Sequence, residues 1–396
     1  MHKIRTHHSH PKGRTFSWMV LIFGLSISLI QPIFPNFVKE VVGTNEMVSL
    51  FYAAMAIAML LAAILSTVLF SKVERTTIIK WGLIISAVIF FSFIFVNRIS
   101  ELSILQAVKV WVKLFILMAL SLFVRDFTKN QNLGQEEGVF YKFHNIGLMA
   151  GPVIGGFLAV YYNYEFIFIL AALIAFLGYL YFYHQHIIQK HPAIVNRKKT
   201  NPQKLLKNIS KFFKNPDRAK AYIVTLILMI WFSFKLLYVP LYVVSEGYKA
   251  SVSGLVLALS ILPLILLEVK IGKYADKKGI RIPVVYGFLL QGILLFAIFL
   301  NPIAWINFIL LILIGIGSAM IEPLQEYYLF KHLPKEEEDE LYGIYMTADP
   351  LAYFLAPALG ALSLYFLPFN YLFLFASVVF FLTGIWASKS LRAPRC

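Results

Sequence analysis

The sequence predicts an all-helical membrane protein of twelve spans, arranged as two six-helix repeats. Three observations carry that expectation. Of 396 residues, 59% are hydrophobic and only 14% charged, where a soluble domain carries about 25% charged residues. Pro11, Pro35, Gly82, Gly138, Pro152 and Gly155 recur 205 positions later as Pro216, Pro240, Gly287, Gly343, Pro357 and Gly360. Composition would give roughly one such coincidence at a chosen offset. Gly and Pro are tied to backbone geometry, so shared positions imply shared bends and contacts. Finally, Lys and Arg gather on one side of the spans, as the loops show below.

A bilayer core needs about 20 apolar residues per helix. The chain offers such runs near 16–37, 47–70, 77–97, 101–124, 138–161 and 165–184, then 220–245, 251–271, 282–300, 303–325, 341–366 and 369–388. The expected domains are a tail (1–15), a first bundle (16–184), a basic linker (185–219), a second bundle (220–388) and a tail (389–396). Tyr161, Tyr162 and Tyr164 crowd a span end, as an interfacial belt does. With the N-terminus inside, about 29 of the 36 Lys and Arg fall on the cytoplasmic side. Lys39, Arg98 and Lys249 fall outside, and Lys109, Lys113, Lys142 and Lys235 lie within spans. Both termini are therefore expected in the cytoplasm, and the chain in the plasma (inner) membrane as a monomer.

The formal charge of +16 is assigned to the membrane surface, because the basic residues sit in short loops; no nucleic-acid partner is expected. Cys396 is the only cysteine, so neither an intramolecular disulfide nor a cysteine metal cluster can form. The terminal APRC is not a prenylation box, and the start MHKIRTHHSH has no nearby small-residue cleavage site. His7, His8 and His10 read as a tail rather than a metal site. No phosphate-binding loop or nucleophile motif is present, so neither ATP drive, a cofactor nor an enzyme activity is expected. The linker segment LLKNISKFF has a basic amphipathic pattern and is expected to lie on anionic lipid. The run Glu336 to Glu340 reads as a solvated loop.

The fifth span holds GLMAGPVIGG, with Gly147, Gly151, Pro152, Gly155 and Gly156. Small residues at this spacing let helices pack closely, and Pro152 bends the helix. The loop after span eight reads GKYADKKGIR, with Gly272, Asp276, Gly279 and Arg281. With the six-plus-six repeat, these resemble the major facilitator superfamily, and the fifth-span pattern is similar to that of its drug:proton antiporters. An Arg125-Asp126 pair follows span four, as in that branch. The loop after span two is degenerate: Ser71 stands opposite Asp276 and Glu74 opposite Gly279. Where the antiporters carry an Arg early in span four, this chain has Gln106 and Lys109.

The resemblance implies a cavity lined by spans 1, 4, 7 and 10, which would be faced by Gln31, Gln106, Lys109, Lys113, Lys235, Glu322 and Gln325. Charges inside a span are costly and are functional candidates by default. At 1.5 Å per residue, Lys113 lies about 18 Å along its span, near the midplane. Three lysines without nearby midplane acids would draw an anion. The 205 offset pairs His144 with Asp349 as candidates for proton exchange, making H+ the expected coupling ion. Glu322, Glu326, Glu268 and Lys270 are expected to form ion pairs closing the inward gate, with Asp276 favoured near a helix N-terminus. The implied function is alternating-access transport of a small molecule, with proton-coupled efflux of amphipathic compounds leading. An organic-anion transporter and a transport-dead receptor on the same fold are the alternatives.

Overall fold

The computed structural model describes residues 13–43, 45–185, 205–248 and 250–391. The first half holds α1 (Gly13–Leu29), α2 (Phe34–Val42), α3 (Asn45–Lys72), α4 (Arg75–Ser92), α5 (Ile99–Asp126), α6 (Leu133–Tyr161) and α7 (Tyr164–His184). After α8 (Leu205–Lys214) in the linker, the second half holds α9 (Pro216–Ser245), α10 (Ala250–Lys278), α11 (Arg281–Leu300) and α12 (Ala304–Ala319). It continues with α13 (Glu322–His332), α14 (Glu338–Tyr345), α15 (Ala348–Phe366) and α16 (Tyr371–Ser390). Among the described residues, nine helical stretches are long and apolar enough to cross a membrane. The bent pair α1–α2 makes a tenth. The more polar α6 and α14–α15 complete the twelve expected of the fold.

Three spans that read as continuous in the sequence are broken, each beside a proline. Proline lacks the N–H that a helix interior needs. The first span ends at Leu29 and restarts at Phe34, bent by 43°, around Pro32 and Pro35. The tenth breaks just before Pro323 and the eleventh just before Pro350. Pro152, Pro240, Pro263 and Pro357 stay inside helices.

The repeat is visible in packing. In the first half α1 lies on α6 and α4 on α7; their counterparts α9 with α15 and α11 with α16 pair likewise. Large apolar side chains such as Trp81 and Val88 on α4 or Leu382 on α16 are exposed, as a lipid-facing surface requires. The halves meet along two seams, α6 against α10 and α3 against α14. The loops after α3, α5 and α10 and the linker share one end of the bundle, the basic end.

Helix α8 of the linker is anchored to the second half. Phe212 is fully buried and packs edge-on against Phe213 and Tyr222 of α9. Lys211 reaches Glu337 at 3.0 Å and Glu340 at 3.6 Å. Phe213 of the same helix stays exposed by 43%. The tail histidines, Cys396 and residues 186–204 lie outside the described residues.

Candidate substrate cavity and its two seams

A cavity of about 290 Å³ lies between the halves. Of the sequence candidates, Gln31, Lys113, His144, Lys235, Glu322, Gln325 and Asp349 line it, alongside Phe140, Phe232 and Tyr353. Gln106 and Lys109 do not. Lys109 Nζ sits 3.9 Å over the Phe34 ring and 5.5 Å from that of Phe93. A cation–π site thus holds it against the broken end of the first span. Gln106 is buried, with its carbonyl oxygen unpartnered among the described residues.

The cavity is not a field of unopposed cations. Lys235 is buried, donates to Ser260 Oγ at 3.1 Å, and lies in the field of Glu322. Lys113 lies in that of Asp349. Lys113 itself makes no hydrogen bond or ion pair among the described residues, so its ammonium stays available to the cavity. His144 Nε2 and Gln325 Oε1 are buried without partners there as well. Both His144 and Asp349 lie on the cavity wall itself.

The acids expected to form ion pairs do something else. Asn145 Nδ2 donates to Glu268 Oε1 at 2.9 Å and to Glu322 Oε2 at 3.2 Å, joining the halves through two carboxyl groups. Lys270 is exposed and takes no part. Glu326 accepts from Ser121 Oγ and, at 2.5 Å, from Tyr342 Oη. Ser121 and Glu326 are themselves 205 residues apart. Equivalent positions of the two repeats therefore touch. Glu137 is fully buried, with neither oxygen hydrogen-bonded among the described residues.

Toward the basic end the cavity is shut. In the α6–α10 seam, the N–H groups of Gly134 and Gln135 donate to Asp276 Oδ1 and Oδ2, each at 2.8 Å. A carboxylate there satisfies free N–H groups of the helix start and the positive end of its dipole. Gly272 lies so close to Gly134 that a Cβ would collide with its carbonyl, and Gly138 is similarly pressed on Glu268. Gly279 ends α10 at φ +78°, a left-handed conformation that costs glycine little. Arg281 Nη2 ties this loop to Ser388 O at 2.5 Å.

The α3–α14 seam is ionic. Arg75 is fully buried; Nη1 lies 2.8 Å from Asp126, and Nη2 lies 3.0 Å from Asp339 and 3.2 Å from Glu338. Arg125 Nε reaches Glu338 Oε1 at 2.8 Å, and its Nη2 donates to Leu333 O at 2.7 Å. Gly343 packs on Ala63, Ser66 and Thr67. The acidic run is therefore not a solvated loop: Glu338 and Asp339 are buried in the first turn of α14 as counter-charges to Arg75 and Arg125. The hydrogen bonds and ion pairs joining the halves gather at Asn145 and below it, toward the basic end.

In the fifth span, Gly147, Gly151 and Gly155 form one face of α6 against α1, where a Cβ would strike Leu21 O, Ser28 Oγ or Leu29 O. Gly156 lies off that face; a Cβ there would sit 3.9 Å from Pro32. Pro152 lies within the helix.

The profile described as Major Facilitator Superfamily matches residues 16–337 and 247–395. The chain belongs to that superfamily. It is 22% identical to an uncharacterised MFS-type transporter of Methanocaldococcus jannaschii, over 87% of each chain. It is 25% identical to the quinolone resistance protein NorA of Staphylococcus aureus, over 86% of this chain and 87% of NorA. Its fold superposes on the human organic anion transporter MFSD10 with a TM-score of 0.79, covering 96% and 100% of the two chains at 14% identity. This is a multi-pass membrane transporter fold, and its family is not one of enzymes.

Sequence reasoning missed Arg75, Asn145, Ser121 and Glu137. For Arg75 a signal existed: it lies 205 residues before Ile280, inside the loop motif, and Asp339 lies 205 after Gly134, the group that Asp276 caps. Nothing local marks Asn145 or Glu137.

Proposed function

We propose that this protein is a proton-coupled exporter of amphipathic compounds. The observation that carries the reading is the acid cluster at the cavity floor. Glu268 and Glu322 share one amide, with Lys235 in the field of Glu322 and Lys142 in that of Glu268. Either a proton or a cationic substrate can neutralise such a pair of buried acids, and that competition is the basis of antiport. Aromatic walls suit the apolar part of the cargo. With the basic end in the cytoplasm, as the distribution of Lys and Arg supports, the cavity faces outward. A proton entering from outside settles on the His144–Asp349 or Glu268–Glu322 groups. The halves then rock about the seams. The proton leaves to the cytoplasm, and the cargo takes its place. The relative named for quinolone resistance fits this reading, as do a plasma-membrane location, cytoplasmic termini and a monomer.

A second reading, export or uptake of an organic anion, is favoured by Lys113, which has no hydrogen bond or ion pair among the described residues. The experiment for both is proton and substrate flux in proteoliposomes, with a panel of lipophilic cations and organic anions. Cation-triggered proton flux that Asp349→Asn abolishes supports the first reading. Anion flux lost in Lys113→Ala but kept in Lys72→Ala supports the second. No flux with any compound overturns both and leaves a receptor on a transporter fold.

A further inference from the structure

The two halves differ at one corner in a way that leaves space inside the second. Where α6 carries Gly147, Gly151 and Gly155 against α1, the equivalent positions of α15 are Ala352, Ala356 and Gly360. Two methyl groups stand where the first half has none, so α15 cannot close on α9 as α6 closes on α1. At Gly360 the Tyr238 ring spans the gap, its hydroxyl donating to Pro357 O at 3.1 Å. Between α9, α15 and α16 a second cavity of about 470 Å³ remains, sharing no lining residue with the central one.

We propose that this cavity binds one acyl chain of a membrane lipid, entering between α15 and α16 from the leaflet away from the basic end. The leaflet follows from the topology. The eleventh span starts at the basic end with α14, and the cavity occupies the far half of α15, from Ala356 to Leu367. Its inner wall is Trp231, Phe234 and Phe380, and no charged side chain lines it. Its rim residues Leu359, Phe366, Phe375 and Val378 are exposed by 46–70% on spans that hydrocarbon surrounds. An apolar cavity stays dry, and an unfilled one forfeits the dispersion contacts of its walls. A partner helix does not fit: at about 10 Å across, it needs roughly 400 Å³ for each turn. A slender chain does fit. Ser363 supplies the one hydroxyl of the wall and has no partner among the described residues. It sits one turn from the end of α15, at the depth where an ester carbonyl can accept from it. Because α15 also packs on α3 across the moving seam, the chain supports a helix that must shift during transport.

The test uses the full chain in nanodiscs with phosphatidylglycerol carrying a diazirine near the chain terminus. After irradiation and digestion, mass spectrometry reads the label. Residues 356–380 should be labelled about tenfold more than the lipid-facing surface of α4 around Val88. That excess should vanish in Ala376→Phe, which fills the cavity, and in Leu359→Trp, which blocks its mouth. The α4 label in the same samples reports that each variant is folded. Equal labelling of α4 and 356–380 in the wild type, or an excess that persists in both folded variants, overturns the proposal. Neither result depends on transport, so the outcome is independent of the exporter reading.

Discussion

The two seams hold equivalent helices of the two repeats by different physics. In the α6–α10 seam, the acid belongs to the last turns of α10, and Asp276 reaches across to the bare N–H groups of a helix start. In the α3–α14 seam the end of α3 has Ser71 instead, and the acids Glu338 and Asp339 sit on the helix start itself, with Arg75 reaching across to them. The negative charge has changed sides while a carboxylate at a helix N-terminus has been kept. A degenerate motif is therefore not a lost seam; the partner helix has taken over the part that the end of α3 gave up.

The comparison implies unequal costs of damage. The largest effect belongs to Arg75→Ala, which strands Asp126, Glu338 and Asp339 with less counter-charge at a buried site. Breaking a buried pair costs about 3–5 kcal/mol, against about 1 kcal/mol for the loss of a helix cap in Asp276→Ala. Chemical denaturation followed by tryptophan fluorescence should rank them in that order, and a reversed order breaks the distinction between the seams. Next comes Gly272→Ala. A methyl there meets the Gly134 carbonyl, so overpacking should cost about 1–3 kcal/mol. It should also speed labelling of a cysteine placed near the basic end, because the wedge holds that end open. Unchanged stability and labelling would show that the glycine contact is dispensable. The smallest effect is a rescue: Ser71→Asp in an Asp339→Gly background rebuilds the first-half seam on the plan of the second. It should regain roughly 1 kcal/mol of what Asp339→Gly alone loses. No regain would mean that the two seams are not interchangeable designs.

Much of the fold was legible because hydropathy and the Pro/Gly repeat report directly on spans and bends. The breaks at Leu29, Ala319 and Tyr345 were less so, since apolar residues run through them and only the prolines mark the sites. The cavity was legible in part. Lys113, Lys235 and Glu322 stand out as charges in apolar runs, whereas Lys109 stands out equally and is drawn off by Phe34. Sequence shows that a charge is embedded, but not which neighbour claims it. The acidic run at 336–340 misleads for the complementary reason. Its counter-ions Arg75 and Arg125 lie more than 200 residues away, so composition alone makes it look like solvated loop.

The Ser121–Glu326 contact has a consequence for ancestry. Whatever lies on a twofold axis meets its own copy, so a homodimer of identical six-helix chains could place only a like pair there. Two glutamates would repel, and two serines would leave Tyr342 without its carboxylate acceptor. A donor facing an acid at that point needs two different residues at one equivalent position. Only halves that have diverged in sequence can supply that pair, and this chain carries both in one polypeptide.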